Sequence, residues 1–441
     1  MKMERRDSVR QSSDEAQPRM AREEVSMKTK SFSISKWQVV RAYERVKASA
    51  GAAGVDQQTL ADFDKNRNDN LYKIWNRMTS GSYQPPPVKG VAIPKKSGGE
   101  RILGIPTVSD RIAQQVVKQA FEPQVEPCFL KDSYGYRPGK SALDAVGVTR
   151  KRCWYQDWVL EFDIKGLFDN IPHDLLMKAV DKHNPEKWVR LYITRWLTVP
   201  VVMVDGEYRC RDKGVPQGGV ISPLLANLYL HYVFDKWLEK NHPGTPWCRY
   251  ADDGLLHCSS YEEAERLREA LRKRFAECGL EMHPEKTKIV YCKDGSRKGE
   301  HEHTEFDFLG YTYRRRVVKN NRRNSLFISF TPAVSKTALK GMRREIRELA
   351  IRSRTDLNIA QLGGILNPII NGWMAYYGKY NRSSLYGVWR HLNKTLVRWV
   401  RRKYKALRRH KTRASQFLEG IAKRSPKLFA HWRAGMKGSF V

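Results

Sequence analysis

Between Val159 and Gly279, strand-forming and helix-forming runs alternate in an order that narrows the fold class before composition is considered. Val159-Leu160-Glu161-Phe162-Asp163-Ile164 is a strand pattern carrying an acid near its end. His173 to His183 reads as a helix. Val201–Val204 and Glu207–Cys210 flank Asp205-Gly206, a two-residue hairpin signal. Ser222-Pro223 offers an N-cap and a first-turn proline for a helix to about Lys240. Cys248–Ala251 and Leu255–Cys258 are short strands around Asp252-Asp253-Gly254, predicted as a hairpin with its carboxylates at the tip. Ser260 and Glu263 form a capping box for a helix ending near Gly279. Strand, helix, strand pair, helix, strand pair, helix implies an antiparallel sheet with helices on one face. That is an α+β layer, not a doubly wound sheet.

The flanks differ from this centre. Residues 1–30 are polar and charged and are expected to form a disordered tail. Residues 31–84 read as a helical N-terminal extension, interrupted by the glycine-punctuated loop Gly51–Asp56. Pro85-Pro86-Pro87 opens a strand-containing body, 85–330, in which Val91–Lys95 and Arg101–Ile105 can pair around Ser97-Gly98-Gly99. Beyond Phe330 the pattern is helical, with breaks expected at Pro332, Gly363-Gly364, Pro368 and Pro426. It divides into 331–395 and a basic tail, 396–441.

Charge is distributed along the same lines. The chain has 81 Lys and Arg against 47 Asp and Glu, a net +34 over 441 residues. Arg314 to Val441 holds 31 basic and 4 acidic groups, +27, leaving +7 for the first 313 residues. A balanced body joined to a basic third points to a polyanion, with nucleic acid the default partner. Trp373, Tyr376, Tyr377, Tyr380, Trp389, Trp399 and Trp432 interleave the charge, so this third is expected to fold, with some rings stacking on bases and more packing in cores. Apolar runs are too short to span a membrane, and the first thirty residues lack the apolar core of a secretory signal. Seven cysteines without a C-x-x-C pair suggest reduced thiols in the cytosol. Cys248 and Cys258 are expected to be small buried residues.

Nucleotidyl transfer by two metals needs carboxylates converging from separate strands. Asp163 and Asp252-Asp253 supply that pattern, although Asp-Asp-Gly by itself is also an ordinary turn. The surrounding blocks carry more weight. Phe162-Asp163-Ile164-Lys165-Gly166-Leu167-Phe168-Asp169-Asn170-Ile171, Gly214-Val215-Pro216-Gln217-Gly218-Gly219 through Asn227, and Arg249-Tyr250-Ala251-Asp252-Asp253 appear in order. So do Ser133 to Gly139, Glu285-Lys286-Thr287, Phe306 to Gly310, and Asn367 to Trp373 followed by Tyr376-Tyr377. With these blocks, from about Gly51 to the C-terminus, the chain resembles the group II intron reverse transcriptase/maturases.

The resemblance implies a right-hand polymerase: fingers, a ferredoxin-like palm, an all-α thumb in 331–395 and a basic helical DNA-binding tail. It implies that Asp163, Asp252 and Asp253, with the Ile164 carbonyl, hold two Mg2+ ions (Mn2+ being an alternative). Phe168 falls where the family places an aromatic gate against a ribose 2′-hydroxyl, and Gln217 beside the incoming nucleotide. Lys95 and Arg101 would clamp the triphosphate, and Lys286 matches a lysine near the active site. Nucleic-acid contacts are expected from Arg314, Arg315, Arg316, Arg343, Arg344, Trp373, Tyr376, Tyr377, Arg401, Arg402, Lys403, Arg408 and Arg409. The implied partners are intron RNA, an RNA template, a DNA target or primer, and dNTPs. The expected setting is the bacterial cytosol or nucleoid, as monomer or homodimer. Gly254 departs from relatives that carry a larger residue after the tetrad and is expected to loosen the turn. Without cysteine pairs of an H-N-H endonuclease in the sequence, the chain resembles the endonuclease-lacking classes, notably class C, and no such domain is expected. Two other readings are an RNA-binding splicing cofactor with a silent polymerase and a reverse transcriptase used in host defence.

Overall fold

A computed structural model describes residues 31–94, 99–320, 323–438 and 440. The expected tail 1–30 and the triphosphate-clamp candidate Lys95 lie outside the described residues. The strands are β1 (Val88–Pro94), β2 (Glu100–Ile105), β3 (Trp158–Asp163), β4 (Val201–Val202), β5 (Tyr208–Arg209), β6 (Trp247–Tyr250), β7 (Asp253–Cys258), β8 (Lys288–Tyr291), β9 (Phe306–Phe308), β10 (Tyr311–Asn320) and β11 (Ser325–Val334). The chain forms two compact units. One comprises residues up to 131 with 164–242 and 273–281, the other 132–163, 243–272 and 282 onward.

In the first unit β1 and β2 form the expected hairpin, with Ile93 opposite Arg101, inside a sheet of order β2-β1-β4-β5. The β4–β5 hairpin is shorter than its sequence signal. Met203 and Gly206 close a turn and Met203 bonds Glu207, so the connection exceeds the two residues expected. The helix Val108–Val125 is the unit's core, with Val108, Ile112, Ala113, Val116, Val117 and Phe121 fully buried. Asp110 is buried among them and accepts three hydrogen bonds, from Tyr83 Oη (2.9 Å), Gln114 Nε2 (2.9 Å) and Trp196 Nε1 (2.7 Å). The helix after Pro216 starts at Ser222, with Ile221 in the cap position, so Ser222 does not cap it; it runs through a π turn at His231–Asp235 to Asn241.

In the second unit the palm sheet has the order β6-β7-β3-β8 with every neighbour antiparallel. Counted along the chain this is the ferredoxin-like order, and the α+β class is the one expected. A second sheet, β11-β10-β9, follows. Pro332 lies within β11 opposite Tyr313 and breaks nothing, because β11 is an edge strand that needs no further donor there. The helical region begins at Lys336, a few residues later than expected.

The helical region holds one continuous core. Leu366, Trp389, Leu392, Trp399, Leu418 and Trp432 belong to it. The helix Tyr386–Lys403 runs straight through the expected boundary at 395/396, so 396–441 packs with the thumb and is not a separate body. Pro368 and Gly363-Gly364 sit inside the helix Ile359–Tyr377 and do not end it. The proline ring clashes with the carbonyl four residues earlier, and here that residue is the adaptable Gly364. At Gly363 a β-carbon would stand 2.9 Å from the Leu428 carbonyl, so the helix accepts close approach of another segment. The thumb is tied to its own unit by tyrosines: Tyr376 Oη donates to the Leu309 carbonyl (2.8 Å), Tyr380 Oη to the Leu143 carbonyl (3.1 Å), and Tyr311 Oη to the Tyr376 carbonyl.

Candidate active site

The three aspartates belong to the second unit. Asp163 ends β3 and pairs in register with Asp253, the first residue of β7. The hairpin turn is Ala251-Asp252, with Tyr250 paired to Asp253. Asp252 is thus at the tip, as expected, while Asp253 is already in the sheet. Ala251 holds a left-handed backbone (φ 57°), which costs energy for a residue with a side chain. The fully buried Arg249 supports it: its guanidinium donates to the Ala251 carbonyl (3.2 Å) and to Ser133 Oγ (2.9 Å). The backbone of Arg249 also exchanges hydrogen bonds with Asp132 and Tyr134, and a β-carbon on Gly135 would lie 2.5 Å from the Ala251 nitrogen. The blocks at 133–139 and 249–253 therefore form one scaffold for the turn.

Charges at the sheet edge are unbalanced. Lys286 Nζ lies 2.6 Å from Asp163 Oδ2, and this bond raises the lysine's pKa. Asp253 keeps accessible surface, yet loss of water around it, followed by the charges of Asp252 and Asp163, pushes its carboxyl up to about 7. Glu161 lies two residues before Asp163, on the same face of β3, and its site role was not anticipated. Burial first, then repulsion from Asp253, pushes it up to about 8 against the opposing charge of its strand neighbour Lys288. A cavity of about 300 Å³ is lined by Glu161, Asp163, Asp253, Lys286, Lys288 and Asp307, among others. Strand periodicity could have singled out Glu161; Asp307 lies in the block Phe306 to Gly310, which carried no site role for it.

Carboxylate oxygens brought together from separate strands are hard donors, the kind of set that suits Mg2+. Among the described residues no three acidic, His or Cys side chains already form an ion cage. Lys286 occupies the charge-balancing position beside Asp163.

The nucleotide-pocket candidates belong to the first unit. Phe168 sits on the short turn Leu167–Asn170 with its ring half-buried, and its carbonyl accepts from the Val215 nitrogen (2.6 Å). Gln217 is half-buried: its Nε2 donates to Asp169 Oδ2 (2.9 Å) and its carbonyl accepts from the Gly104 nitrogen (2.6 Å). Gly218 has φ 110°, and a β-carbon there would meet the Gly104 carbonyl at 2.3 Å. Gln114 Oε1 accepts from the Val220 nitrogen (2.7 Å), so the buried Asp110–Gln114 pair holds this loop from behind. Arg101 is exposed on β2. Ile164 directly follows Asp163 and buries its side chain. Asp169 and Gln114 were missed because their partners lie 48 and 106 residues away.

The basic residues separate into two groups. Arg314, Arg315, Arg344, Arg402, Arg408 and Arg409 are exposed, and Arg343 and Arg401 partly so. Arg316 is turned inward onto the Thr312 and Thr331 carbonyls, and burial pulls it down to about 10. Lys403 is tied to the Thr355 and Leu357 carbonyls (both 2.8 Å). Trp373 stacks on Trp389, and Tyr376 and Tyr377 pack on Tyr311. In the structure these aromatics pack on neighbouring rings while keeping part of their surface accessible.

The chain is similar to known proteins. The family described as "Reverse transcriptase (RNA-dependent DNA polymerase)" matches residues 93–313, and "Group II intron, maturase-specific domain" matches 339–417. Protein YkfC of Escherichia coli is 34% identical over 305 residues, covering 59% of this chain and 76% of that protein. Group II intron-encoded protein LtrA of Lactococcus lactis is 34% identical over 200 residues, 45% of this chain and 33% of its own length. The chain thus spans most of one relative and about a third of the other. A telomerase structure from Candida albicans aligns over 86% of this chain and 68% of that chain at 12% identity with a TM-score of 0.43, too distant to add to the comparison.

Proposed function

The chain belongs to the reverse transcriptase family and carries the maturase-specific domain of group II introns, and from that membership we propose that it is an intron-encoded RNA-directed DNA polymerase that also holds its intron RNA for splicing. The observation that carries the catalytic part is the registered pair Asp163–Asp253, with Asp252 on a turn braced by Arg249. Asp163, Asp252 and Asp253 would hold two divalent cations, Mg2+ first, which neutralise charge on the transferred phosphoryl group when bound. Lys286 would release Asp163 as they bind. A primer 3′-hydroxyl attacks the α-phosphate of a dNTP and pyrophosphate leaves.

Phe168 would exclude a 2′-hydroxyl sterically, and Gln217, held by Asp169, would lie along the nucleotide. Arg101 would meet the triphosphate. Arg314, Arg315, Arg344, Arg402, Arg408 and Arg409, exposed in the basic third, would follow the template, the DNA primer or target, and the intron RNA. No helix among the described residues is long and apolar enough to cross a membrane; the bacterial cytosol or nucleoid is the setting this reading favours. The decisive experiment is the variant Asp252→Asn/Asp253→Asn, which keeps side-chain shape while removing two negative charges. Copying of poly(rA) from an oligo(dT) primer should fall by roughly three orders of magnitude, at about 1.4 kcal/mol per tenfold, in a protein of unchanged circular dichroism. Retained cDNA synthesis would sink the reading.

A further inference from the structure

We propose that the thumb contains a preformed pocket for clustered phosphates of folded RNA, lined by Arg352, Arg398, Arg401, Arg402 and Arg408. It rests on the polymerase/maturase reading and adds a defined subsite to it. The five guanidinium-bearing residues surround a cavity of about 490 Å³ with no acidic residue in its lining. The thumb's ion pairs among the described residues are Arg344–Glu348 and Lys423–Glu419, and neither reaches this cavity. Arg398, Arg401 and Arg402 sit three and four residues apart near the end of the helix Tyr386–Lys403, on one face. Like charges at that spacing repel. The negative end of the helix dipole offsets part of this, and a bound polyanion would offset the rest.

The backbone around the cavity is fixed in advance. Trp399, fully buried, donates from Nε1 to the Arg354 carbonyl (2.8 Å) and so joins the helix to the turn Ile351–Ser353 that carries Arg352. Arg402 reaches Ser353 Oγ (3.2 Å), Lys403 holds the Thr355 and Leu357 carbonyls, and Arg401 Nε donates to the Arg408 carbonyl (3.1 Å). Guanidinium groups carried on a fixed backbone suit phosphate oxygens, which each can bind two at a time. Concavity selects among nucleic acids. A DNA duplex is a convex rod with its phosphates spread along the axis, whereas folded RNA brings phosphates of distant nucleotides together at bends.

The test uses the full chain and a 5′-labelled RNA hairpin with an internal bulge, beside duplex DNA of equal phosphate number and inorganic tripolyphosphate. Arg352→Gln/Arg398→Gln removes two exposed side chains that make no other assigned bond. RNA affinity should fall about tenfold at 150 mM salt, and the salt slope should drop by about 1.4, the value for two single-strand phosphate contacts. Duplex DNA binding should stay at the parental level. Arg352→Lys/Arg398→Lys should restore the slope and only part of the affinity, and parental melting of both variants excludes unfolding. Parental RNA binding by the Gln variant overturns the proposal. So does an equal loss on duplex DNA, or tripolyphosphate displacing RNA from the parent at equal phosphate concentration. Parental cDNA synthesis on poly(rA)/oligo(dT) is measured separately, so failure of the polymerase reading is distinguishable from failure of the pocket.

Discussion

The ring of Phe162 lies across Gly254, with its Cζ 2.1 Å from where a β-carbon on residue 254 would stand. The two residues are cross-strand partners on β3 and β7, and Phe162 is only 1% exposed. Glycine after the aspartate pair is therefore the counterpart of a large ring on the neighbouring strand. The expectation of a loosened turn gives way to one of tight packing.

Gly254→Ala should accordingly destabilise the palm by about 1–3 kcal/mol, the usual cost of overpacking. Combined with Phe162→Leu, the losses should be less than additive, with a coupling of roughly 0.5–3 kcal/mol. Denaturant unfolding of the four proteins measures this. Additive losses would mean that the two positions do not compete for the same space.

Asp169 and Gln217 should act together on nucleotide binding. Removing either side of their hydrogen bond is expected to raise the dNTP KM by roughly 2- to 12-fold, corresponding to about 0.5–1.5 kcal/mol. The double variant should be little worse than the worse single one. Steady-state kinetics with kcat and KM resolved tests this, and independent effects would separate the pair.

Phe168→Val should raise incorporation of rNTP relative to dNTP while dNTP use survives, because the ring is half-buried rather than a core residue. Competition of paired rNTP and dNTP at one template position is the measurement. A parental ratio in a folded variant would place the gate elsewhere.

His431 should make the thumb sensitive to acid. Burial pulls its pKa from 6.5 to about 3, and its Nε2 lies 2.7 Å from Asn393 Oδ1. The folded-state value is depressed, so the stability contributed by the neutral ring is present above pH 6.5 and is lost as pH falls toward 3. The slope is at most about 1.4 kcal/mol per pH unit. His431→Gln should flatten the dependence of unfolding free energy on pH by about one proton between pH 6.5 and 4. An unchanged slope would show that His431 does not set it.

The elements legible in sequence were those with short-range signals. The strand ending at Asp163, the two-strand frame of Asp252 and the Ser260 cap, whose Oγ accepts from the Glu263 nitrogen (3.1 Å), follow from local periodicity and turn chemistry; the Ser222 cap does not. The chain breaks were misjudged where tertiary packing overrode a local breaker: Pro332 on an edge strand, Pro368 behind a yielding glycine, and Gly363 under the Leu428 carbonyl. The site was legible in its aspartates and not in its supports. Arg249, Gln114 and Asp169 act through partners that only the fold brings within reach. The ring partners of Trp373, Tyr376 and Tyr377 were not legible for the same reason, since composition does not say which aromatic stacks on Trp389 or Tyr311.

The tyrosine bonds between the thumb and the Leu309 and Leu143 carbonyls also bear on how such a chain can be recombined. A hybrid that takes its thumb from a relative by joining at Ser335 would inherit hydroxyl donors shaped for another protein's carbonyls. Gly310 is equally committed, since a β-carbon there would stand 2.9 Å from Tyr377 Oη. The unit that can be exchanged intact thus includes Leu143 to Val146 and Leu309 to Tyr313 together with the helices from Lys336 onward. The natural crossover points lie upstream of where the sheet ends and the helices begin.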